Sequence, residues 1–328
     1  MPAAVLAALL AACASGPPPR PGVLFRVADD GSQAARFAPL FAPERADRPE
    51  NRVGTPSARL EQGDRKAARE RVFVDPSSPT IYYQEVPFRT ERGAYVNHVY
   101  RVHFQKVPYR LKFSHISAGR NTGLLAVVTV DAGGTPLLVT TVHTCGCYLT
   151  FLPTEHLDPA VYPPGWPTET GAAAGARQET WGERPPAVIG FPPRGGAGLP
   201  VLVLRDGTHR VADVIPFDPD TALEIIPTPL APVADLETLP VAGAEPVATT
   251  PFFHPDGPGK GYVKGAHKTL EFLFVSWWAL DAHVGHDKRY APRGETGKVF
   301  YTSLKPWARK ESDMWEFADF LRYWGWGL

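Results

Sequence analysis

Between residues 72 and 153, apolar and polar positions alternate in short runs that are separated by turn residues. The runs "IYYQEVPF", "AYVNHVYRVHF", "TGLLAVVTV" and "PLLVTTVHTCGCYLTFL" are rich in Val, Thr, Tyr and Phe, which is typical of strands. The last two flank the Gly-rich "DAGGT" and predict a β-hairpin. A second hairpin is predicted where "LPVLVLRDGTHRVADVIPF" turns at Asp206 and Gly207.

The C-terminal quarter has a helical pattern instead. "GAHKTLEFLFVSWWALDAHVG" predicts one helix, and "SDMWEFADFLRYWGWGL" predicts another that opens with Asp313 and Glu316 at the spacing of a capping box. Between them, "GKVFYTSL" predicts one more strand. We expect both helices to pack on the sheet. The alternative is that the Trp-rich end lies against a bilayer, but such membrane helices usually carry basic residues on the polar face.

These elements predict a mainly β fold of the α+β class, with an antiparallel sheet or a sandwich- or barrel-like core and two C-terminal helices. The globular domain is expected over residues 73–328. Residues 43–72 are charged and poor in apolar residues, and a short helix is predicted over Arg65–Arg71. Residues 23–72 are therefore expected to form a polar, partly irregular segment. Residues 163–198 and 216–262 are rich in Pro and predict long irregular connections.

Composition narrows the function only slightly. The 34 basic residues balance the 34 acidic ones among 328 residues, so no net positive charge favours nucleic acid as a partner. Hydrophobic residues make up 44% of the chain, which is enough for a packed core. The 36 prolines and 30 glycines indicate many turns rather than a helical bundle.

The first residues carry a targeting pattern. Ala3 to Ala12 form an apolar run that is too short to span a bilayer and ends in small residues, although no Lys or Arg precedes it. The tetrapeptide Leu10-Ala11-Ala12-Cys13 resembles the lipobox of bacterial lipoproteins. This resemblance implies a signal peptide over residues 1–12 and lipidation of Cys13, with residues 13–22 as a Pro-rich tether. It also implies a periplasm-facing protein that is held to a membrane and meets other envelope proteins. Ala14, where an Asp would favour retention at the inner membrane, favours the outer membrane.

The stretch "TTVHTCGCYLTF" holds the other two of the three cysteines. If the run is extended, one face carries the mainly apolar set Val139, Thr141, His143, Cys145, Cys147, Leu149 and Phe151. Gly146 would permit a kink that draws the two thiols together. Thiolate and imidazole suit zinc or copper, and His98 is the predicted fourth ligand because its strand face is apolar. His103 is expected on the opposite, polar face.

Two other interpretations of this stretch stay open. A Cys145–Cys147 disulfide would close a short, strained and therefore reducible ring, which suits thiol exchange or redox sensing. Alternatively, both thiols are inert core residues. A cysteine nucleophile is not supported, because nothing nearby in the sequence supplies an oxyanion site.

A second candidate cluster follows the first predicted helix, with a metal or acid–base role as the alternative to a helix end. It consists of Asp281, His283, His286 and Asp287. The sequence therefore leaves three functions: a lipid-anchored envelope protein that binds a transition metal, a thiol–disulfide redox protein, and a structural or assembly lipoprotein without a catalytic site.

Overall fold

The computed structural model describes residues 21–62, 68–109, 116–166, 200–217, 220 and 223–328. Within these ranges the strands are β1 (Val23–Val27), β2 (Leu40–Pro43), β3 (Thr55–Gln62), β4 (Ala68–Asp75), β5 (Ile81–Thr90), β6 (Gly93–Val107), β7 (Gly119–Asp131), β8 (Pro136–His143), β9 (Thr150–Pro153), β10 (Pro200–Leu204), β11 (Val211–Pro216), β12 (Glu224–Thr228), β13 (Leu230–Pro232), β14 (Leu239–Ala242) and β15 (Thr249–Thr250). The α-helices are α1 (Gln33–Arg36), α2 (Thr269–Ala279), α3 (Arg293–Thr296) and α4 (Phe317–Tyr323). The predicted mainly β fold with C-terminal helices is confirmed.

The described strands form three sheets. The largest has the order β13-β5-β6-β7-β8-β9, and its strands β5 to β9 run as an antiparallel meander. A second sheet has the order β11-β10-β2-β1-β12, and a third has the order β15-β14-β3-β4. Strands that are distant in sequence pair in parallel, as β1 does with β12 and β2 does with β10. The N-terminal strands are therefore built into sheets completed by later parts of the chain.

Both faces of the six-stranded sheet are buried. On one face, Val102, Leu124 and Val139 share a core with residues of the five-stranded sheet such as Phe25 and Leu202. On the other face, strand residues form a second core together with the C-terminal segment. The main members of this second core are Val99, Leu125, Val142, Phe151, Phe317, Phe320 and Trp326. Because the central strands β6 to β8 are covered on both faces over most of their length, their polar residues are largely buried as well, which bears directly on the candidate site.

Both predicted hairpins are present. The turn between β7 and β8 is closed by Asp131, whose Oδ1 accepts hydrogen bonds from the amides of Gly133 (2.9 Å) and Thr135 (2.8 Å). Strands β10 and β11 form the second hairpin. Its turn lies at Asp206 and Gly207, where Gly207 donates its amide to the Asn51 side chain at 2.9 Å. The turn chemistry read from the sequence thus matches the observed turns.

Several other predictions differ from the structure. The segment expected to be polar and irregular contains β1, β2 and β3, and the helix predicted at Arg65–Arg71 is wrong for its described part, which lies in β4. The strand predicted in "GKVFYTSL" is reduced to one bridge between Tyr301 and Asp313. Residues 216–262 contain four short strands. Most of the Pro-rich stretch 163–198 lies outside the described residues.

The two C-terminal helices behave differently. Helix α4 packs on the sheet as predicted, with Phe317, Phe320 and Leu321 buried. Helix α2 buries only Glu271 and Ala279, and leaves most of its apolar side chains exposed. The packing expected for this helix is therefore wrong. In the described part of the chain, no helix has the length and apolar character needed to cross a membrane.

Candidate functional site

The stretch that contains the two cysteines is a tight turn. Strand β8 ends at His143, whose amide donates to the Cys147 carbonyl at 2.9 Å, and the Gly146 amide returns to the His143 carbonyl at 2.7 Å. Gly146 has a φ of 98°, a conformation that a residue with a side chain rarely adopts. A Cβ at this position would lie 2.1 Å from the carbonyl oxygen of Tyr301. Glycine is therefore required both for the turn and for the approach of the Tyr301 backbone.

This turn overturns the alternation expected from the sequence. Val139 faces the core shared with the five-stranded sheet, whereas Leu149 and Phe151 face the opposite core. The predicted common face therefore ends at His143, because the chain reverses direction before it enters β9. Cys145 and Cys147 lie in the turn rather than in a strand, and Gly146 supplies the bend between them.

A fully buried ion pair lies next to the turn. Lys268, the residue immediately before α2, places its Nζ 3.1 Å from Oδ2 of Asp287, and both side chains are 0% exposed. Oδ1 of Asp287 accepts a short hydrogen bond from Thr144 Oγ1 and a longer one, 3.3 Å, from the Gly123 amide. Asp287 therefore ties the cysteine turn to β7 and to the start of α2.

Helix α2 contributes a carboxyl group to the surroundings of the cysteine turn. Glu271 is buried, and its Oε1 accepts a hydrogen bond from the Cys147 thiol at 3.4 Å. Burial raises the pKa of Glu271 from 4.5 to about 7, although Lys268 acts in the opposite direction. Near neutral pH this carboxyl group can accordingly either hold a proton or accept one.

The two thiols have different electrostatic surroundings. The neighbouring Cys147 side chain, and then the positive charge of Lys268, lower the pKa of Cys145 well below its ordinary value, although burial acts in the opposite direction. The neighbouring Cys145 side chain and burial, followed by the negative charge of Glu271, raise the pKa of Cys147. The pair therefore loses its first proton readily and holds its second one tightly. Cys145 is buried, whereas Cys147 is partly accessible.

A second lysine contacts the backbone of the cysteine turn. Lys288 is buried, and its Nζ donates to the carbonyl oxygen of Cys145 at 2.8 Å. Burial lowers the pKa of this lysine, while the nearby thiols raise it. The Lys288 amide also donates to the Thr144 carbonyl at 2.8 Å. The backbone of the turn is thus held by side-chain and main-chain donors of one residue.

The structure does not bring His98 to the two thiols. His98 pairs in register with Val128 and through it with Val139, four residues before His143 on β8. At the usual rise per residue this is roughly 13 Å along the sheet. The Nδ1 atom of His98 lies 2.7 Å from the hydroxyl of Tyr83, in a separate pocket.

His103 is also placed differently from the expectation. It is fully buried rather than on a polar face, because both faces of the sheet are covered. Its Nε2 accepts a hydrogen bond from Arg101 Nε at 3.0 Å, and its ring contacts Phe252 edge-on. Burial, and then the charge of Arg101, hold its pKa well below the ordinary value. His103 is consequently a neutral core residue.

The second predicted cluster is divided between two places. Asp281 accepts hydrogen bonds from the His283 amide at 2.8 Å and from the Tyr301 hydroxyl at 2.6 Å. The rings of His283 and His286 lie 5.3 Å apart beside Tyr262. Asp287, by contrast, points to Lys268 and belongs to the cysteine site. In the ranges listed above, no group of three or more His, Cys, Asp or Glu side chains has the geometry of a metal site. Cys13 lies outside those ranges.

Sequence reasoning missed Lys268, Glu271 and Lys288. One signal for Glu271 was available, because it is the single charged residue in the apolar helix α2. The two lysines gave no local signal, since each becomes meaningful only when the distant cysteine turn is placed against it. The assembled site is thus a pair of thiols with two buried carboxyl groups, Glu271 and Asp287, and two buried lysine side chains, Lys268 and Lys288.

Comparisons with known proteins leave the site to be interpreted from its own chemistry. No protein-family model, no curated protein and no solved structure matches this chain.

Proposed function

We propose that the protein is a thiol–disulfide redox protein that uses the Cys145/Cys147 pair. The observation that carries this proposal is the placement of both thiols against Lys268 and Glu271, which favours one thiolate and provides one proton acceptor. A disulfide that closes across one intervening residue is strained, and strained disulfides are good oxidants. The pair therefore suits reversible exchange better than a permanent structural bond.

The exchange between the Cys145/Cys147 pair and a substrate disulfide takes place in two steps. Cys147, the accessible thiol, keeps its proton until the attack begins. Glu271 then takes this proton as a general base while the Cys147 sulfur attacks one sulfur of a substrate disulfide and expels the other as a thiolate. The thiolate of Cys145 then attacks the Cys147 sulfur and releases the second substrate thiolate. Two electrons pass from the pair to the substrate, which leaves as two thiols after protonation. The reverse sequence transfers the disulfide to a substrate dithiol.

Lys268 and Asp287 have a supporting role in this scheme. The ammonium group of Lys268 stabilises the Cys145 thiolate, and Asp287 keeps the lysine charged in a buried position. Lys288 fixes the turn through the Cys145 carbonyl. These contacts hold the sulfur of Cys145 ready for the second step.

Single cysteine variants test the scheme, with glutathione disulfide as the probe. Cys145→Ser leaves the accessible thiol without a resolving partner, so we expect a stable glutathione adduct on Cys147. Cys147→Ser leaves only the buried thiol of Cys145, so we expect little adduct in the folded protein. Intact-protein mass measurement reads both outcomes. All variants should carry Cys13→Ser, so that no third thiol reacts. Equal labelling of the two variants, or none in either, would contradict the proposal.

A transition-metal site is the second candidate. The observation that favours it is the buried imidazole of His143, whose two ring nitrogens have no hydrogen-bond partner among the described residues, at the start of the turn that holds Cys145 and Cys147. Zinc or copper would take these ligands. Two buried ammonium groups beside the same turn disfavour a divalent cation, and for this reason the redox function ranks first. Metal analysis of protein purified without chelator separates the candidates: stoichiometric zinc or copper supports the metal site.

We also propose that the protein is lipid-anchored in the cell envelope and faces the periplasm, at the outer rather than the inner membrane. The support is the segment Leu10-Ala11-Ala12-Cys13 with the Pro-rich residues behind it. An envelope compartment is oxidising, which suits a dithiol that cycles. Metabolic labelling with a radioactive fatty acid tests the anchor: the wild-type chain should be labelled, and Cys13→Ser should not.

A further inference from the structure

Helix α2 carries a surface that the proposed redox function does not use. Its exposed apolar side chains, together with those of Leu280 at its C-terminal end and of Trp307, make up seven of the eleven large hydrophobic residues that are exposed in the described chain. We call this surface the aromatic patch; it consists of Phe272, Leu273, Phe274, Trp277, Trp278, Leu280 and Trp307. Apolar surface gathered in this way marks a site of interaction.

Trp307 belongs to the patch because its turn abuts the end of α2. Residues Pro306–Ala308 form a short 3-10 turn, and the guanidinium of Arg309 donates to the carbonyl oxygen of Ala279. Trp277 and Trp307 are 72% and 77% exposed. The inner side of α2 is occupied by Glu271 and Ala279, so the helix has no polar outer face. A helix with this composition is normally covered by an apolar partner.

The chemistry of the patch fits a lipid surface. Its three tryptophans combine a large apolar ring with an indole N–H, a combination that is enriched where hydrocarbon meets headgroups. The turn that carries Trp307 also holds Lys305, Arg309 and Lys310, against one acidic residue, Glu311. A net positive rim beside an apolar surface is complementary to anionic headgroups. The charged residue within α2 itself, Glu271, is buried and would not oppose such contact.

The length of the N-terminal segment gives a second argument, which rests on the proposed lipid anchor. Nine residues separate Cys13 from the start of β1 at Val23. Fully extended, they span at most about 30 Å. A domain held so close to a bilayer encounters it continuously, and a face that is apolar and rimmed by cations is the one that would rest on it.

We propose that the aromatic patch docks on the surface of an anionic bilayer, with Trp277, Trp278 and Trp307 at the level of the headgroups. This contact uses the exposed side chains of α2, whereas Glu271, which reaches the thiols, is buried. It holds the domain in one orientation on the membrane.

Vesicle co-sedimentation of the full chain carrying Cys13→Ser tests the docking without a lipid anchor. The probe is vesicles of phosphatidylcholine with one quarter phosphatidylglycerol. We expect binding that falls by at least about tenfold in Trp277→Glu/Trp278→Glu, since two buried rings are lost. The matched control is Val247→Glu, which changes an equally exposed apolar residue (82%) away from the patch and should bind like the parent. All three proteins carry the same N-terminus, so differences report the patch.

Two results would overturn the docking proposal. One is undiminished binding of the double variant. The other is a dimer of the parent in sedimentation velocity that the double variant converts to a monomer, because the patch would then be a contact between copies. If the double variant fails to fold by circular dichroism, quenching of the parent's tryptophan fluorescence by brominated lipids replaces it, and absence of quenching would contradict docking. Because Cys13 is replaced, failure here is distinct from failure of the lipid anchor.

Discussion

Lys268 and Asp287 form an ion pair that is completely shielded from water, with 3.1 Å between Nζ and Oδ2. The pair joins the start of α2 to the segment that follows this helix, and Asp287 extends the contact to Thr144 in the cysteine turn. Removing one partner of such a pair leaves an uncompensated buried charge. The ion pair is therefore the element on which both the position of α2 and the thiolate of Cys145 depend.

Lys268→Met should destabilise the protein by about 3–5 kcal/mol, because Asp287 loses its counter-charge in a dry environment. Chemical denaturation of the variant measures this. Lys268→Met/Asp287→Asn should recover part of the loss, since it removes the orphaned charge. The matched control is Arg322→Met, which breaks the exposed pair with Asp319 and should cost less than about 1 kcal/mol. Equal losses in the two single variants would show that the pair is not buried as described.

The contribution of Glu271 to the stability of the protein should fall as the pH rises from 5 to 8, whereas the depressed pKa values of His103 and Cys145 act in the opposite direction. The pKa of Glu271 is about 7 in the folded chain, above its ordinary value of 4.5. Between these values the folded state holds a proton that the unfolded state has lost, so increasing pH favours unfolding. The shift corresponds to at most about 3 kcal/mol. Glu271→Gln should remove this loss, so the stability of the variant relative to the wild-type chain should rise between pH 5 and pH 8.

The control for this pH dependence is Glu295→Gln, which changes an exposed carboxylate that pairs with Arg289. We expect it to leave the slope of stability against pH unchanged. Denaturant midpoints measured at pH 5, 6, 7 and 8 give the comparison. A difference in stability between Glu271→Gln and the wild-type chain that stays constant from pH 5 to pH 8 would contradict the raised pKa of Glu271.

Gly146→Ala should be much more damaging than a change at another glycine with a left-handed backbone. Gly134, in the turn after β7, has a φ of 76° and open space around its Cα, so Gly134→Ala should cost about 1 kcal/mol through the backbone alone. At Gly146 the added Cβ also meets the Tyr301 carbonyl, so the loss should be about 3 kcal/mol or more. Thermal melting of the two variants separates backbone strain from the clash. Similar losses would indicate that Tyr301 does not approach the turn.

Much of the local structure could be predicted from the sequence. The β7–β8 and β10–β11 hairpins follow from apolar runs joined by Gly- and Asp-containing turns, and α4 follows from its apolar stripe. Each of these patterns can be recognised within one continuous stretch of the sequence. The strands at 23–62 were missed because β1 and β2 are short and all three strands pair in part with distant strands, so their polar surroundings dominated the local pattern.

The candidate site could be predicted only in part. The two thiols and Gly146 were identified from their spacing. The prediction of which face each side chain occupies was wrong after His143, because side chains in a tight turn do not alternate between two faces as they do in a strand. His98 was assigned by its apolar strand face, a criterion that fails in a sheet buried on both sides. Lys268 and Glu271 are more than 120 residues away in the chain, and only the tertiary fold brings them to the cysteines.

The most direct test of the redox account is the equilibrium of the Cys13→Ser chain in glutathione buffers of graded ratio, followed by acid quenching and mass measurement. The account predicts that Cys145 and Cys147 lose their free thiols together, with the loss of two hydrogens and no bound glutathione, and regain them in reductant. The midpoint should lie above about −300 mV, because the ring is strained. Two thiols that stay free at every ratio, or that are protected by a stoichiometric metal ion, would contradict it.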